Sequence, residues 1–162
     1  MIRILFVCLG NICRSPMAEG IMRHLVSEAG LSDQIEVDSA GTSGGHAGEQ
    51  PHRGTLAVLR KHGIELRHAS RQFKRQDADR FDLLVAMDDD NVLSMLGLFS
   101  KQNPPPIHYL LDFIPEGPRR RSVPDPWYTG DFDGVYEMLD QACRGLLEHV
   151  RANHLPARAA MR

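Results

Sequence analysis

Cysteine is scarce in this chain, with three among 162 residues, and two of the three fall inside one short segment. An odd number placed that way builds no disulfide framework, so an oxidising compartment is not implied. Charge of one sign is also missing: 19 Lys and Arg stand against 21 Asp and Glu, for a net charge of −2. That balance gives no general attraction to nucleic acid or to a membrane surface. No apolar run approaches the ~20 residues that a membrane-crossing helix needs. The apolar start, residues 2–7, is too short and wrongly flanked for a signal peptide. A cytoplasmic location is the expectation. Internal repeats, low-complexity tracts and linkers are absent. The length suits a single domain over 1–152, with 153–162 as a flexible C-terminal tail.

What is present begins at once. Ile2-Arg3-Ile4-Leu5-Phe6-Val7 reads as a buried strand, rich in branched and aromatic side chains. From Met17, the residues Met17, Ala18, Ile21, Met22, Leu25 and Val26 share one helical face, and Gly30 ends the helix. Ser15-Pro16 supplies a cap residue and a proline suited to the first helical position. Between strand and helix lies Cys8-Leu9-Gly10-Asn11-Ile12-Cys13-Arg14. Gly10 and Asn11 are the residue types that most readily take positive φ, so the loop can curl round a small centre. A helix N-terminus aims N–H groups and positive potential into such a loop. Cysteines in settings of this kind ionise at roughly 3.5–7.5, and a guanidinium fork matches the oxygens of a phosphate. A nucleophile inside an anion cradle is a phosphatase arrangement.

Further strands are expected at Ile35–Ser39, Phe81–Met87 and Ile107–Leu111, with helices at Thr55–His62, from the Asp88-Asp89-Asp90-Asn91 cap to about Gly97, and from Val135 to Val150. Residues 41–54, 64–74 and 115–130 read as loops. Strands alternating with helices imply an α/β fold, a parallel sheet with helices on both faces. Ligands of such sheets bind beyond the carboxyl ends of strands, where Cys8 lies.

The string Cys8 to Pro16 closely resembles the signature of the low-molecular-weight protein-tyrosine phosphatases, bacterial type. The resemblance implies a compact four-stranded parallel sheet and a phosphate loop after the first strand. It implies hydrolysis of phosphotyrosine in proteins, and of small aryl phosphates, through a phosphocysteine intermediate. Cys8 would be the nucleophile and Arg14 the phosphate clamp, with Leu9, Gly10, Asn11, Ile12, Cys13 and Ser15 completing the loop. The family carries its general acid in an Asp-Pro-aromatic-aromatic segment, matched here by Asp125-Pro126-Trp127-Tyr128. A departing aryl oxide, with a conjugate acid near 10, needs that proton at neutral pH. Ser15 serves either as a donor to the sulfur, as an N-cap, or as both. Asn11, Ser39 and His68 correspond to the set that supports the loop, although Ser39 alone reads as a strand end and His68 as a surface histidine. Cys13 would pair with Cys8 under oxidation in the family's manner, or else is simply buried. Cys143 reads as core.

His46, Trp127 and Tyr128 are expected to flank the substrate. Many bacterial relatives have an aromatic just before that histidine, where this chain has Gly45, so weaker aryl-phosphate binding is expected. Ile12 is apolar, as in relatives acting on phosphotyrosine; relatives favouring phosphoarginine tend to carry Thr there. Arg119-Arg120-Arg121 could steer acidic phosphopeptides. No metal or other cofactor is called for. The expected partners are tyrosine-phosphorylated proteins, with a cognate tyrosine kinase as a candidate, and neither nucleic acid nor membrane. A thioredoxin-coupled arsenate reductase shares the loop but needs a downstream cysteine pair, and Cys143 has no neighbour to supply one. A nucleotide-binding P-loop fails for want of Gly-Lys-Ser/Thr after the strand.

Overall fold

The computed structural model describes residues 1–117, 119 and 121–155. Four parallel strands form one sheet: β1 (Ile2–Cys8), β2 (Ile35–Gly41), β3 (Leu83–Ala86) and β4 (Ile107–Tyr109), in the spatial order β2-β1-β3-β4. The helices are α1 (Arg14–Glu28), α2 (Arg53–Lys61), α3 (Asp77–Arg80), α4 (Asp89–Leu96), α5 (Pro126–Thr129) and α6 (Phe132–Asn153).

β1 pairs on both sides, Ile4 with Val37 of β2 and with Leu83 of β3. Its side chains alternate between two cores, as the twofold pleat requires. Ile4, Phe6 and Cys8 pack with α1 and α6 residues such as Met17, Ile21, Leu139 and Leu146. Leu5 and Val7 point the other way, against Phe73, Phe81 and Met95. Every residue of β1 from Ile4 to Cys8 is buried, which is why the strand reads as an unbroken apolar run rather than an alternating one. The architecture is the expected α/β sheet, covered on both faces.

Several boundaries differ from expectation. β3 is shorter, because Phe81 closes the turn of α3 through its N–H to Asp77 O at 3.0 Å. The run from Ile107 leaves the sheet after Tyr109 and coils into a 3-10 turn at Leu110–Phe113. The loop at 115–130 contains a short helix, α5, capped by Asp125 and closed by Gly130 at φ 74. α1 starts at Arg14, with Cys13 as its N-cap residue and no side-chain cap hydrogen bond. Ser15 is therefore not the cap, and Pro16 lies inside the first turn, where its missing N–H costs no helical bond. α6 continues through Asn153, and Leu155 packs on the core. Residues 156–162 of the expected tail lie outside the described residues.

Candidate active site

The site grows from the end of β1. Cys8 pairs with Gly41 in the ladder, and a Cβ on Gly41 would sit 2.7 Å from Leu9 O and 3.0 Å from Asn11 N. Only glycine lets β2 lie this close beneath the loop. Asn11 then takes φ 57 and turns the chain back over Cys8. Its side chain is fully buried and bonded at both ends. Nδ2 donates to Ser15 Oγ at 2.8 Å and Ser39 Oγ at 3.0 Å. Oδ1 accepts from Arg71 N at 3.0 Å and lies 2.7 Å from His68 Nε2. Ser70 Oγ donates to the Asn11 carbonyl at 2.6 Å. The left-handed turn is held from every side.

At the centre, Cys8 Sγ lies 3.0 Å from Ser15 Oγ and accepts from Asn11 N at 3.3 Å. Arg14 is 3 % exposed and donates through Nη1 to Asp88 Oδ2 at 2.6 Å and to Val123 O at 3.0 Å. Its Nη2 reaches Asp125 Oδ2 at 3.5 Å. Burial opposes the guanidinium's charge, but Cys8, Asp88 and Asp125 outweigh that and hold its pKa above the ordinary value. Asp125 Oδ1 accepts from Trp127 N at 3.1 Å, so the carboxyl is fixed by the start of α5 as well as by Arg14.

Above these groups opens a cavity of about 230 Å³. Cys8, Gly10, Ile12, Cys13 and Arg14 line its base, and His46, Asp125, Trp127 and Tyr128 line its walls. A Cβ on Gly10 would come within 3.1 Å of His46 Cδ2, so Gly10 makes room for the imidazole over the loop. Trp127 and Tyr128 are 53 % and 77 % exposed, an unusual outlay of aromatic surface that marks the rim.

Cys8, Arg14, Asp125, His46, Trp127 and Tyr128 thus meet at one cavity, while Asn11, Ser15, Ser39 and His68 form the layer beneath it. His68 is not a surface histidine: its Nδ1 lies 3.1 Å from Glu19 Oε1, with its side chain 6 % exposed. The thiols of Cys8, Cys13 and Cys143 are all free. Burial, reinforced by Cys8 and Asp125, pushes the Cys13 thiol up to about 12, against a smaller opposing pull from Arg14. Of the basic loop, Arg119 donates to Asp112 O at 3.4 Å and Arg121 to the carbonyls of Leu111 and Ile114. Arg120 lies outside the described residues.

Two carboxylates escaped sequence reasoning. Glu19 is fully buried, accepts from Ser39 Oγ at 2.7 Å and pairs with Arg23 Nη2 at 2.9 Å. Nothing in its neighbourhood of the sequence marks it. Asp88 holds Arg14, and here a signal existed: it follows β3, the strand beside β1, at the carboxyl edge where sites of such sheets form. Glu19, Asp38 and His68 bring donor atoms within 4.8 Å of one another. Those atoms are engaged with Ser39, Arg23 and Arg71, which makes the group a polar network supporting the loop.

Fold and site together define a class, a parallel α/β domain whose first strand feeds a buried cysteine–arginine loop faced by an aspartate on a second loop. Residues 3–155 match the family model of low molecular weight phosphotyrosine protein phosphatases. The chain is 45 % identical over 152 residues to the low molecular weight protein-tyrosine-phosphatase YfkJ of Bacillus subtilis, covering 93 % of this chain and 97 % of that one. It is 42 % identical over 154 residues to PtpA of Staphylococcus epidermidis, covering 93 % and 94 %. The crystal structure of YfkJ superposes with a TM-score of 0.89 over 94 % of this chain and 96 % of that one, at 44 % identity. A protein tyrosine phosphatase from Entamoeba histolytica, at 33 % identity, reaches 0.87 over 95 % and 99 %. The chain belongs to the low molecular weight phosphotyrosine protein phosphatase family, a family of enzymes.

Proposed function

We propose that the chain hydrolyses phosphotyrosine in proteins through a phosphocysteine intermediate. The observation that carries this is the placement of Asp125 Oδ2 3.5 Å from Arg14 Nη2, across a cavity based on Cys8. Cys8 attacks phosphorus as the thiolate, forming an S–P bond while the P–O bond to the aryl group breaks. Contacts into Sγ from Ser15 and Asn11 are stronger to an anion than to a thiol, so they favour the reactive form and ease its later departure. Arg14 takes two phosphoryl oxygens in a forked contact, and being held by Asp88 it spends little orientation on doing so. Asp125 gives its proton to the departing phenolic oxygen. Its carboxylate then takes a proton from water as that water attacks phosphorus; the S–P bond breaks, phosphate leaves, and the thiolate and the protonated acid are restored.

His46, Trp127 and Tyr128 offer the aromatic walls for a phenyl ring, and Ile12 at the base is apolar, which favours an aryl over a guanidinium phosphate. Tyrosine-phosphorylated proteins are the substrates, with a tyrosine kinase acting in opposition. Three free thiols are in keeping with a cytoplasmic location. Among the described residues no helix is long and apolar enough to cross a membrane.

Turnover of p-nitrophenyl phosphate in EDTA tests the reading. The native chain turns over and forms a covalent phosphoenzyme trappable on rapid quench; Cys8→Ser does neither, and Asp125→Asn is slowed by about 10²–10⁴, the usual worth of a positioned acid. Faster release of phosphate from phosphoarginine peptides than from phosphotyrosine peptides would overturn the substrate assignment.

A further inference from the structure

The segment bearing Asp125 is fastened to the phosphate loop by a histidine that plays no part in the chemistry. His52 stands just before α2. Its main-chain N–H donates to Ile12 O, inside the phosphate loop, at 2.7 Å. Its ring Nδ1 accepts from Gly54 N at 2.9 Å, which makes it the cap of α2 and leaves the neutral ring's proton on Nε2. The ring makes two aromatic contacts as well. Phe132, the first residue of α6, stacks on it at 4.9 Å and 21°. Trp127 meets it edge-on at 5.7 Å and 81°. Gly54 is required for this packing, since a Cβ there would lie 2.7 Å from the Phe132 ring.

The consequence concerns Asp125. Between Asp125 and Phe132 the chain makes α5 and a left-handed exit at Gly130, so the acid is carried by a short, exposed excursion with little core of its own. Trp127 is half exposed, and the ring contacts found for it are His52 and His46, the latter at 5.8 Å. The main-chain N–H of Trp127 in turn donates to Asp125 Oδ1. His52 therefore touches the phosphate loop through its main-chain N–H, and through its ring the acid-bearing helix at Trp127 and the far end of the excursion at Phe132.

We infer that His52 is a positioning residue for proton donation: its ring, wedged between Trp127 and Phe132, holds the Asp125 segment in register with the phosphate loop. The inference rests on Asp125 being the acid, and it predicts a specific kinetic signature rather than a general loss. An enzyme whose acid is in place releases strongly and weakly acidic phenols at similar rates. One whose acid has drifted still attacks phosphorus and still binds phosphate, but fails progressively as the leaving group becomes more basic.

The test is log kcat/KM against leaving-group acidity over a series of aryl phosphates, from p-nitrophenyl to unsubstituted phenyl. His52→Asn keeps a cap acceptor for Gly54 and removes the aromatic wedge; His52→Phe keeps the wedge and removes the acceptor. His52→Asn is expected to lose about tenfold or more on phenyl phosphate and less than about threefold on p-nitrophenyl phosphate. His52→Phe is expected to restore the shallow native slope. Melting temperatures accompany each variant, so that a weakened α2 cap is seen separately. A His52→Asn slope equal to the native one, or losses uniform across the series, overturns the positioning role. The Asp125→Asn variant is run alongside: a native slope there sinks Asp125 as the acid, whereas a steep slope there with a native slope in His52→Asn sinks only His52.

Discussion

Arg14 Nη1 donates to Asp88 Oδ2 at 2.6 Å, a closer contact than the 3.5 Å between its Nη2 and Asp125. The clamp is therefore oriented from behind by Asp88, leaving the other edge of the fork toward the cavity. Asp88 also accepts from Asn91 N at 2.8 Å, capping α4 with its second oxygen. The two roles separate by substitution. Asp88→Asn keeps a cap acceptor and removes the charged partner, and kcat/KM for aryl phosphates is expected to fall about tenfold or more, since a charge-assisted bond is worth about 1.5–3 kcal/mol. Asp88→Ala is expected to lose a further ~1 kcal/mol of unfolding free energy with the cap. Native kinetics in Asp88→Asn would show that Arg14 needs no help.

Asn11 carries two separable costs. An L side chain at φ 57 is strained by roughly 1–2 kcal/mol, and Asn11 offsets this with its bonds to Ser15, Ser39 and Arg71. Asn11→Gly relieves the backbone and loses the bonds; Asn11→Ala keeps the strain and loses the bonds. Urea unfolding should rank native, Gly, Ala, with Ala below Gly by about 1 kcal/mol. Both variants should lose at least about tenfold in kcat/KM, since the loop then no longer presents Asn11 N to the sulfur. Equal stability of Gly and Ala would remove strain from the account.

What the sequence disclosed and what it hid follow one physical division. Cys8, Asn11 and Arg14 were legible because the loop is contiguous: strand, positive-φ residues and helix start are written in order, and local geometry does the rest. Asp125 was legible only beside that loop, because an Asp-Pro turn alone is ordinary chain reversal. Asp88 lies 74 residues from the arginine it holds, and no local propensity records a partner at that distance. Glu19 was hidden for a related reason: a carboxylate becomes buried and functional only when β2 brings Ser39 and the chain after α2 brings His68. For Ser15 the sequence leaves a cap and a partner of the sulfur both open, and only the closed loop separates them, with its hydroxyl between Cys8 Sγ and Asn11 Nδ2. The two carboxylates belong to the sheet's assembly rather than to any one segment.

Cys13 makes stability depend on alkaline pH. In the folded chain its thiol titrates at about 12, against an ordinary 9.0. Between those values the unfolded chain has given up a proton that the folded chain retains. The unfolded state then binds fewer protons, so stability falls as pH rises, by about 1.4 kcal/mol per pH unit. Below pH 9 the effect is absent. Cys143, fully buried and likewise pushed up by desolvation, adds to the loss in the same direction. Urea unfolding at pH 8, 9 and 10 should show the native chain weakening faster than Cys13→Ser. Parallel curves for the two proteins would mean that Cys13 ionises in the folded chain as freely as in the unfolded one. The same burial predicts that iodoacetamide near neutral pH leaves Cys13 and Cys143 unlabelled.

Gly45 leaves one wall of the cavity open. It lines the cavity beside His46, its φ lies outside the left-handed region, and a Cβ there would meet only Ser43 Oγ, at 3.3 Å. An aromatic residue is therefore accommodated by a small movement of one hydroxyl, without backbone strain. Stacking on a bound phenyl ring is worth about 0.5–1.5 kcal/mol. Gly45→Trp should accordingly lower KM for phenyl phosphate and phosphotyrosine peptides by about two- to tenfold. The phosphate loop, Arg14 and Asp125 are untouched by the change, so kcat should hold. Inhibition by inorganic phosphate supplies the control, because it reads the loop and not the wall. If phosphate tightens in step with the aryl substrates, the new side chain is acting on the loop; if neither tightens, the open wall is not what limits aryl binding.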